Sequence, residues 1–347
     1  MKRSRIGKED SGRDCKKRSL DFARDDTLRK RLFTSFGMTR ERGYRMKQRI
    51  VTGLLLTALL AVMLWLPGWC MATAVMICVG MAVWEEYHVL AQAGHRVVSW
   101  PTWTAMVLSI PLTYFYSQMI RQADPTIMMG GHKIMIPLVV AALLAMTVHV
   151  MFRKQPELTD MTMSALPLLT VALPGLCLVS LSLIDPYLWW RGPIENKMPW
   201  HAVEVVMLSL TFAIPLVGDM LALFIGKAFG KRKFCPEVSP KKTVAGSIGG
   251  LAGSVLAAVI IWLLSLWLCD EGTRAFLPQW WMYPVLGLIG GFIGQMGDLF
   301  ASLVKRHCKI KDYSSLFPGH GGMLDRLDSV LFMAVMMYCY LLFVPVR

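Results

Sequence analysis

The chain has 347 residues, 55% of them hydrophobic, with a mean hydropathy of +0.47 and a formal charge of +14. So apolar a composition excludes an ordinary soluble domain and points to an all-α polytopic membrane protein. Residues 1–49 hold 17 Lys and Arg against 7 Asp and Glu, a net +10 placed directly before the first apolar run, which fits anionic lipid headgroups and leaves no nucleic acid expected as partner.

In chain order, residues 1–49 lack a sustained apolar period and read as a disordered cytoplasmic arm, with 28–36 as a short basic surface helix. The apolar run that follows begins only near residue 50 and is one of many, so a cleaved signal peptide is not expected. Nine spans are expected, at 50–66, 68–91, 101–120, 134–152, 163–184, 203–226, 246–268, 282–304 and 327–344. Each is long enough, or nearly so, to cross about 30 Å of hydrocarbon at 1.5 Å per residue. Pro67-Gly68, Trp100-Pro101 and Pro199-Trp200 mark breaks, and Trp65, Trp69, Trp189, Trp190, Trp280 and Trp281 suit the interfacial belt. Three parts are delimited: the arm (1–49), the N-terminal membrane helices (50–202) and a C-terminal catalytic membrane domain (203–347).

Alternating sides from an inside N-terminus puts 31 Lys and Arg in the inside segments and 6 in the outside ones. The expected topology is N-in and C-out, with 92–100, 153–160, 227–245 and 305–326 all cytoplasmic. In a bacterium the membrane would be the inner one. The eight cysteines show no C-x-x-C pair and are read as packing residues or free thiols.

The densest chemistry interrupts the last apolar third. Asp298 lies inside one span, Asp325 and Asp328 open the next, and Lys305, Arg306, Lys309, Lys311 and Arg326 surround them. Carboxylates within membrane segments are costly and mark function by default. Asp298, seven residues before Lys305, lies about 10 Å below the inner surface if helical, and Asp219, eight before Lys227, about 12 Å. Both depths point to one cavity open to the cytoplasm. Gly287, Gly291, Gly294 and Asp298 share one helical face, so close packing on that face turns Asp298 toward protein. Hard oxygen ligands among cations suit Mg²⁺, with Asp298, Asp325 and Asp328 as metal ligands and a second cation left open.

These residues carry a resemblance. Ser302-Leu303-Val304-Lys305-Arg306, Lys311-Asp312, Pro318-Gly319-His320-Gly321-Gly322 and Leu324-Asp325-Arg326-Leu327-Asp328-Ser329 form a long pattern of rare residue types at fixed spacing. With Ser239-Pro240-Lys241-Lys242-Thr243, Gly246, Gly249-Gly250 and Asp219 ahead of Gly226-Lys227 and Gly230-Lys231, it resembles the phosphatidate cytidylyltransferase (CDP-diacylglycerol synthase) family. The resemblance is strong over 215–330, general over 50–214 and absent from 1–49. It implies an Mg-dependent nucleotidyltransferase joining CTP to phosphatidic acid drawn from membrane lipid, with CDP-diacylglycerol and pyrophosphate as products. A homodimer is a further expectation.

Within that reading, Lys241 and Lys242 grip the CTP phosphates from a loop, with Ser239 and Thr243 as hydrogen-bond donors. Lys305, Arg306 and Arg326 act on phosphates at the reacting centre, and Lys311 and Asp219 contact substrate. Gly319, Gly321 and Gly322 bring backbone amides to phosphate, and His320 serves as a donor or turn residue, because the attacking phosphate already carries an unprotonated oxygen. Two departures stand out: the segment after Asp219 reads Met220-Leu221-Ala222-Leu223-Phe224, where an aromatic residue is common at or near Leu223, and the basic arm is long. The rivals are a cytidylyltransferase for another lipid phosphate, a transporter and an inactive scaffold. Charges gathered on one side and the absence of an internal repeat argue against the transporter. The intact Asp and Lys set argues against the scaffold.

Overall fold

The computed structural model describes residues 62, 68–123, 132–182, 202–269, 271–274, 277–317 and 321–343. The arm, nearly all of the first expected span, Gly319 and His320 lie outside the described residues. The chain divides into two compact units between Leu55 and Leu56, and every described residue belongs to the second.

That unit contains α1 (Gly68–Gln92), α2 (Trp100–Ala123), α3 (His132–Met151), α4 (Leu158–Leu181) and α5 (Ala202–Phe229). A hairpin of β1 (Lys233–Cys235) and β2 (Ser239–Thr243) follows, then α6 (Val244–Leu268), α7 (Met282–His307) and α8 (Leu324–Phe343). Seven of the eight helices, all but α2, are long and apolar enough to cross a membrane. This is an all-α integral membrane protein. The count of nine is not reproduced among the described residues. The 50–66 run falls outside them, and α2 is diluted by Thr102, Thr104, Ser109, Thr113, Ser117, Gln118 and Arg121.

The helix expected at 163–184 begins earlier, at Leu158. Asp160 made that stretch look like a loop, yet it is 4% exposed in the first turn of α4. Its carboxylate accepts the Arg96 amide at 3.1 Å and pairs with Arg153 at 3.5 Å, while facing the positive end of the helix. Tyr87 ties the same region together, its hydroxyl lying 2.6 Å from Thr102 Oγ1 and 2.9 Å from the Ser164 carbonyl. Midway, α4 widens into a π turn at Leu168–Ala172, closed by a Leu173 amide bond to the Leu168 carbonyl. Pro174 directly follows and offers no N–H to the turn before it, a usual cause of such irregularity.

Glycine sets the packing of the C-terminal helices. The expected face of α7 is buried. A Cβ at Gly287 would stand 2.7 Å from Val255 Cα, one at Gly291 2.5 Å from Ser254 Cβ, and one at Gly294 3.3 Å from Pro215 Cβ. A second glycine face went unread. Gly290 and Gly297 admit α8, where a Cβ would meet Met333 Sδ at 2.5 Å and the Asp328 carbonyl at 2.7 Å. Without a hydrophobic drive between helices in lipid, such close van der Waals packing holds them together. The α7 helix therefore lies between α6 and α8, which brings Asp298 to the start of α8.

The four segments expected on one side of the membrane do meet. Arg153 donates to the Arg96 carbonyl (2.6 Å), His95 and His307 join through their Nε2 atoms (3.1 Å), and Arg306 donates to the Val238 carbonyl (3.3 Å). Cys70, Cys78, Cys177, Cys235, Cys308 and Cys339 are free thiols, in line with the sequence pattern.

Candidate active site

Four elements place the expected side chains. β2 carries Ser239, Lys241 and Lys242; α5 carries Asp219; the C-terminal third of α7 carries Asp298, Lys305 and Arg306; the start of α8 carries Asp325, Arg326 and Asp328. The Ser-Pro-Lys-Lys-Thr segment is a strand rather than the expected loop. It pairs antiparallel with β1, Lys233 opposite Thr243 and Cys235 opposite Ser239. Pro240 is tolerated because a two-stranded hairpin consists of edges. Alternation along the strand then separates the two lysines. Lys241 is exposed, whereas Lys242 turns inward to pair with Asp298 at 2.5 Å. Thr243 is 6% exposed and caps α6, its Oγ1 accepting the Gly246 amide at 3.1 Å. Ser239 is half-buried.

Asp298 is the centre of this group. Asp219 lies within electrostatic reach of Asp298, Lys242 and Arg326. Asp328 lies within reach of Asp298, Lys305 and Asp219, and its Oδ1 accepts the Ser329 amide at 2.8 Å. Asp219, Asp298 and Asp328 are thus gathered from three helices around two lysines and one arginine. Among the described residues, no three His, Cys, Asp or Glu side chains converge tightly enough to enclose a metal ion.

Asp325 has a different setting. Its Oδ1 takes the Lys305 ammonium at 2.7 Å, and its Oδ2 accepts the amides of Tyr313 and Gly322 at 2.9 Å each. The Lys305 ammonium also lies 5.4 Å from the centre of the Tyr313 ring, within cation–π range. The Tyr313 hydroxyl donates to the Ala301 carbonyl at 3.2 Å. Burial first, and then the carboxylates of Glu86, Asp325 and Asp328, push this phenol far above its ordinary range, so it stays protonated and remains a donor. Arg306, Lys311 and Arg326 are exposed, Gly322 is buried and Gly321 partly so.

Two carboxylates on α1 escaped the sequence reading. Glu85 is 2% exposed and accepts hydrogen bonds from Ser314 Oγ and from the amides of Met323 and Leu324. Glu86 is 1% exposed, 3.2 Å from Thr170 Oγ1 on the π turn. With Asp328 and Tyr313 it lines a cavity of about 10 Å³, at the lower limit for one water. The adjacent pair in Trp84-Glu85-Glu86-Tyr87, inside an apolar run, was the available signal. A wider concavity of about 550 Å³, lined by Arg96, Arg153, Lys154 and Gln155, contains none of the expected site residues.

The arrangement supplies what joining two polyanions requires. Two lysines, one arginine and backbone amides adjoin a set of carboxylates that repel one another unless a cation lies among them. Comparison with known proteins agrees in kind. The profile described as "Cytidylyltransferase family" matches residues 47–344. A Bacillus subtilis protein named phosphatidate cytidylyltransferase is 43% identical over 121 residues, 35% of this chain and 41% of that protein. A Brucella abortus protein of the same name is 35% identical over 147 residues, 42% and 50% of the two chains. The matched region thus spans half or less of the length of those two relatives. A Synechocystis protein, also named phosphatidate cytidylyltransferase, is 30% identical over 312 residues, 86% of this chain and 98% of that one.

Proposed function

Because the chain belongs to the cytidylyltransferase family, we propose that it joins CTP to phosphatidic acid, releasing pyrophosphate and leaving CDP-diacylglycerol in the membrane. The observation that carries this is the convergence of Lys242, Asp298, Asp219 and Asp328 from a hairpin and three membrane helices.

In the reaction, a phosphate oxygen of phosphatidic acid attacks the α-phosphorus of CTP while the bond to pyrophosphate breaks. Two polyanions must meet and charge grows on the leaving group, so positioning and cations govern the rate. Lys242, already inward, can exchange Asp298 for a triphosphate oxygen, and exposed Lys241 meets CTP at the mouth of the site. Arg306 and Arg326 offer bidentate forks to phosphate, and exposed Lys311 adds positive charge. The amides of Gly321 and Gly322 adjoin Asp325; Gly319 and His320 complete the same turn in sequence.

An Mg²⁺ ion fits the donor chemistry, since every candidate ligand is a hard carboxylate oxygen; Asp298 and Asp328 lie within reach of each other, and Asp325 opens the same helix as Asp328. Asp298, Asp325 and Asp328 would hold it. After its three bonds Asp325 keeps one lone pair, on Oδ1. Held there, the ion would supply positive charge to screen the phosphates of the two substrates. The site is proposed to face the cytoplasm, where the positive-inside pattern places it. Single cysteines at Lys233 and Ser315 should then react with impermeant reagents from that side alone.

The experiment is to incubate purified protein with CTP, Mg²⁺ and a panel of lipid phosphates, and to identify products by mass spectrometry. CDP-diacylglycerol from phosphatidic acid, abolished by chelation, is expected. A CDP-lipid formed only from a different lipid phosphate would reassign the substrate, and the absence of any CDP-lipid would overturn the proposal.

A further inference from the structure

The turn that presents Asp325 and Asp328 is clamped from both sides, and one clamp comes from outside residues 215–330, where the family resemblance is strong. From below, Asp325 binds the amides of Tyr313 and Gly322. From α1, well over two hundred residues away in sequence, Glu85 closes the other side. Its Oε1 accepts Ser314 Oγ at 2.6 Å and the Met323 amide at 2.9 Å, and its Oε2 accepts the Leu324 amide at 2.9 Å. Met323 and Leu324 open α8, where amides have no partner within the helix and a negative charge faces the positive end of the dipole. Glu85 therefore caps α8 from a different helix.

The two glycines of the turn follow from the two carboxylates. A Cβ at Gly322 would stand 2.5 Å from Glu85 Oε2. One at Gly321, whose φ of +82° already disfavours a side chain, would stand 2.7 Å from Asp325 Oδ2. Glu85 is 2% exposed and its oxygens are taken by three donors, so it is not placed to touch substrate.

We propose that Glu85 is a positioning residue for the cytidylyl transfer: from α1 it fixes the 313–324 turn and the first turn of α8, and so sets the direction in which Asp325 and Asp328 present their oxygens. The inference rests on the CTP-dependent reading proposed above. The triphosphate contacts proposed for Lys241, Lys242 and Arg306 lie outside the clamped turn, and the Gly322 amide within it is taken by Asp325, so the loss on weakening the clamp falls chiefly on turnover. In Glu85→Gln the amide nitrogen would face the N–H of Leu324, donor against donor, while the shape is kept.

The test compares purified wild type, Glu85→Gln and Ser314→Ala, each checked for monodispersity and thermal unfolding, and measures kcat and both KM values. Glu85→Gln is expected to lose about 10–100-fold in kcat, as a small misplacement of reacting groups does, with both KM values within about threefold of wild type. Ser314→Ala, which removes one hydrogen bond, is expected to show the same split at about 3–10-fold. If wild type makes no CDP-lipid, the functional reading falls and this inference with it. If wild type is active and Glu85→Gln keeps its kcat, or loses only thermal stability, or changes only the KM values, the positioning role is overturned. If Glu85→Gln cannot be purified in folded form, Ser314→Ala decides: the split supports the role, and wild-type kinetics refute it.

Discussion

Two lysine–aspartate pairs stand a few turns apart in this molecule, and they differ in everything but chemistry. Lys305–Asp325 is enclosed, with side chains 12% and 5% exposed, and is knitted to two backbone amides and an aromatic ring. The Lys242–Asp298 side chains are more exposed, at 24% and 26%, while the Lys242 ammonium itself is buried and makes no hydrogen bond beyond its ion pair with Asp298. A buried, multiply bonded pair is costly to break on one side, because the partner stays desolvated and uncompensated. An open pair gains less from its own contact and gives up less when another ion replaces one partner. The comparison assigns the first pair to holding the signature turn and the second to exchange with substrate.

The largest expected effect tests the open pair. Asp298→Asn keeps the shape and removes the charge at the meeting point of the site, so CDP-lipid synthesis should fall about 10²–10³-fold, the scale of one lost electrostatic contact at the reacting centre. Its thermal unfolding should stay close to wild type. Asp325→Asn should cost a comparable amount of activity, but with a second signature. Lys305 is left without its counter-ion, at about 2–3 kcal/mol, and the unfolding temperature should drop by roughly 5–10 °C. If Asp298→Asn were the destabilised variant and Asp325→Asn the stable one, the comparison would be reversed.

A smaller effect separates the neighbouring lysines of β2. Lys242→Ala removes the inward, charge-assisted contact and should cost about 10–30-fold in kcat/KM for CTP. Lys241→Ala removes an exposed charge and should stay within about fivefold. Equal losses in the two variants would mean that the strand does not present them to opposite sides.

The sequence made the signature legible because its charges are rare residue types set in an apolar background, where every carboxylate needs a reason. The first glycine face of α7 was legible too, since Gly287, Gly291 and Gly294 recur at helical spacing. Gly290 and Gly297 were passed over because their partner, α8, reveals itself only in the packing. The hairpin stayed hidden because Ser-Pro-Lys-Lys-Thr has no apolar alternation and contains proline, both signs of a loop. Without the strand, nothing distinguished Lys241 from Lys242. Glu85 and Glu86 were not legible from sequence because their partners, the 313–324 turn and the π turn, are distant along the chain. Leu158–Asp160 was read as loop for a similar reason: Arg153 and the Arg96 amide, which neutralise Asp160, cannot be inferred from spacing.

The central claim is that the open Lys242–Asp298 site attaches a cytidylyl group to a lipid phosphate, and isotope placement tests it most directly. Purified wild type and Asp298→Asn are supplied with phosphatidic acid, Mg²⁺ and CTP labelled at either the α- or the γ-phosphorus, and the lipid and aqueous phases are counted. Label from the α-position should enter the lipid with wild type only, and label from the γ-position should leave entirely as pyrophosphate. Lipid labelled from the γ-position would identify a phosphoryl transfer instead, and equal α-label incorporation by Asp298→Asn would contradict the placement of the reaction at this site.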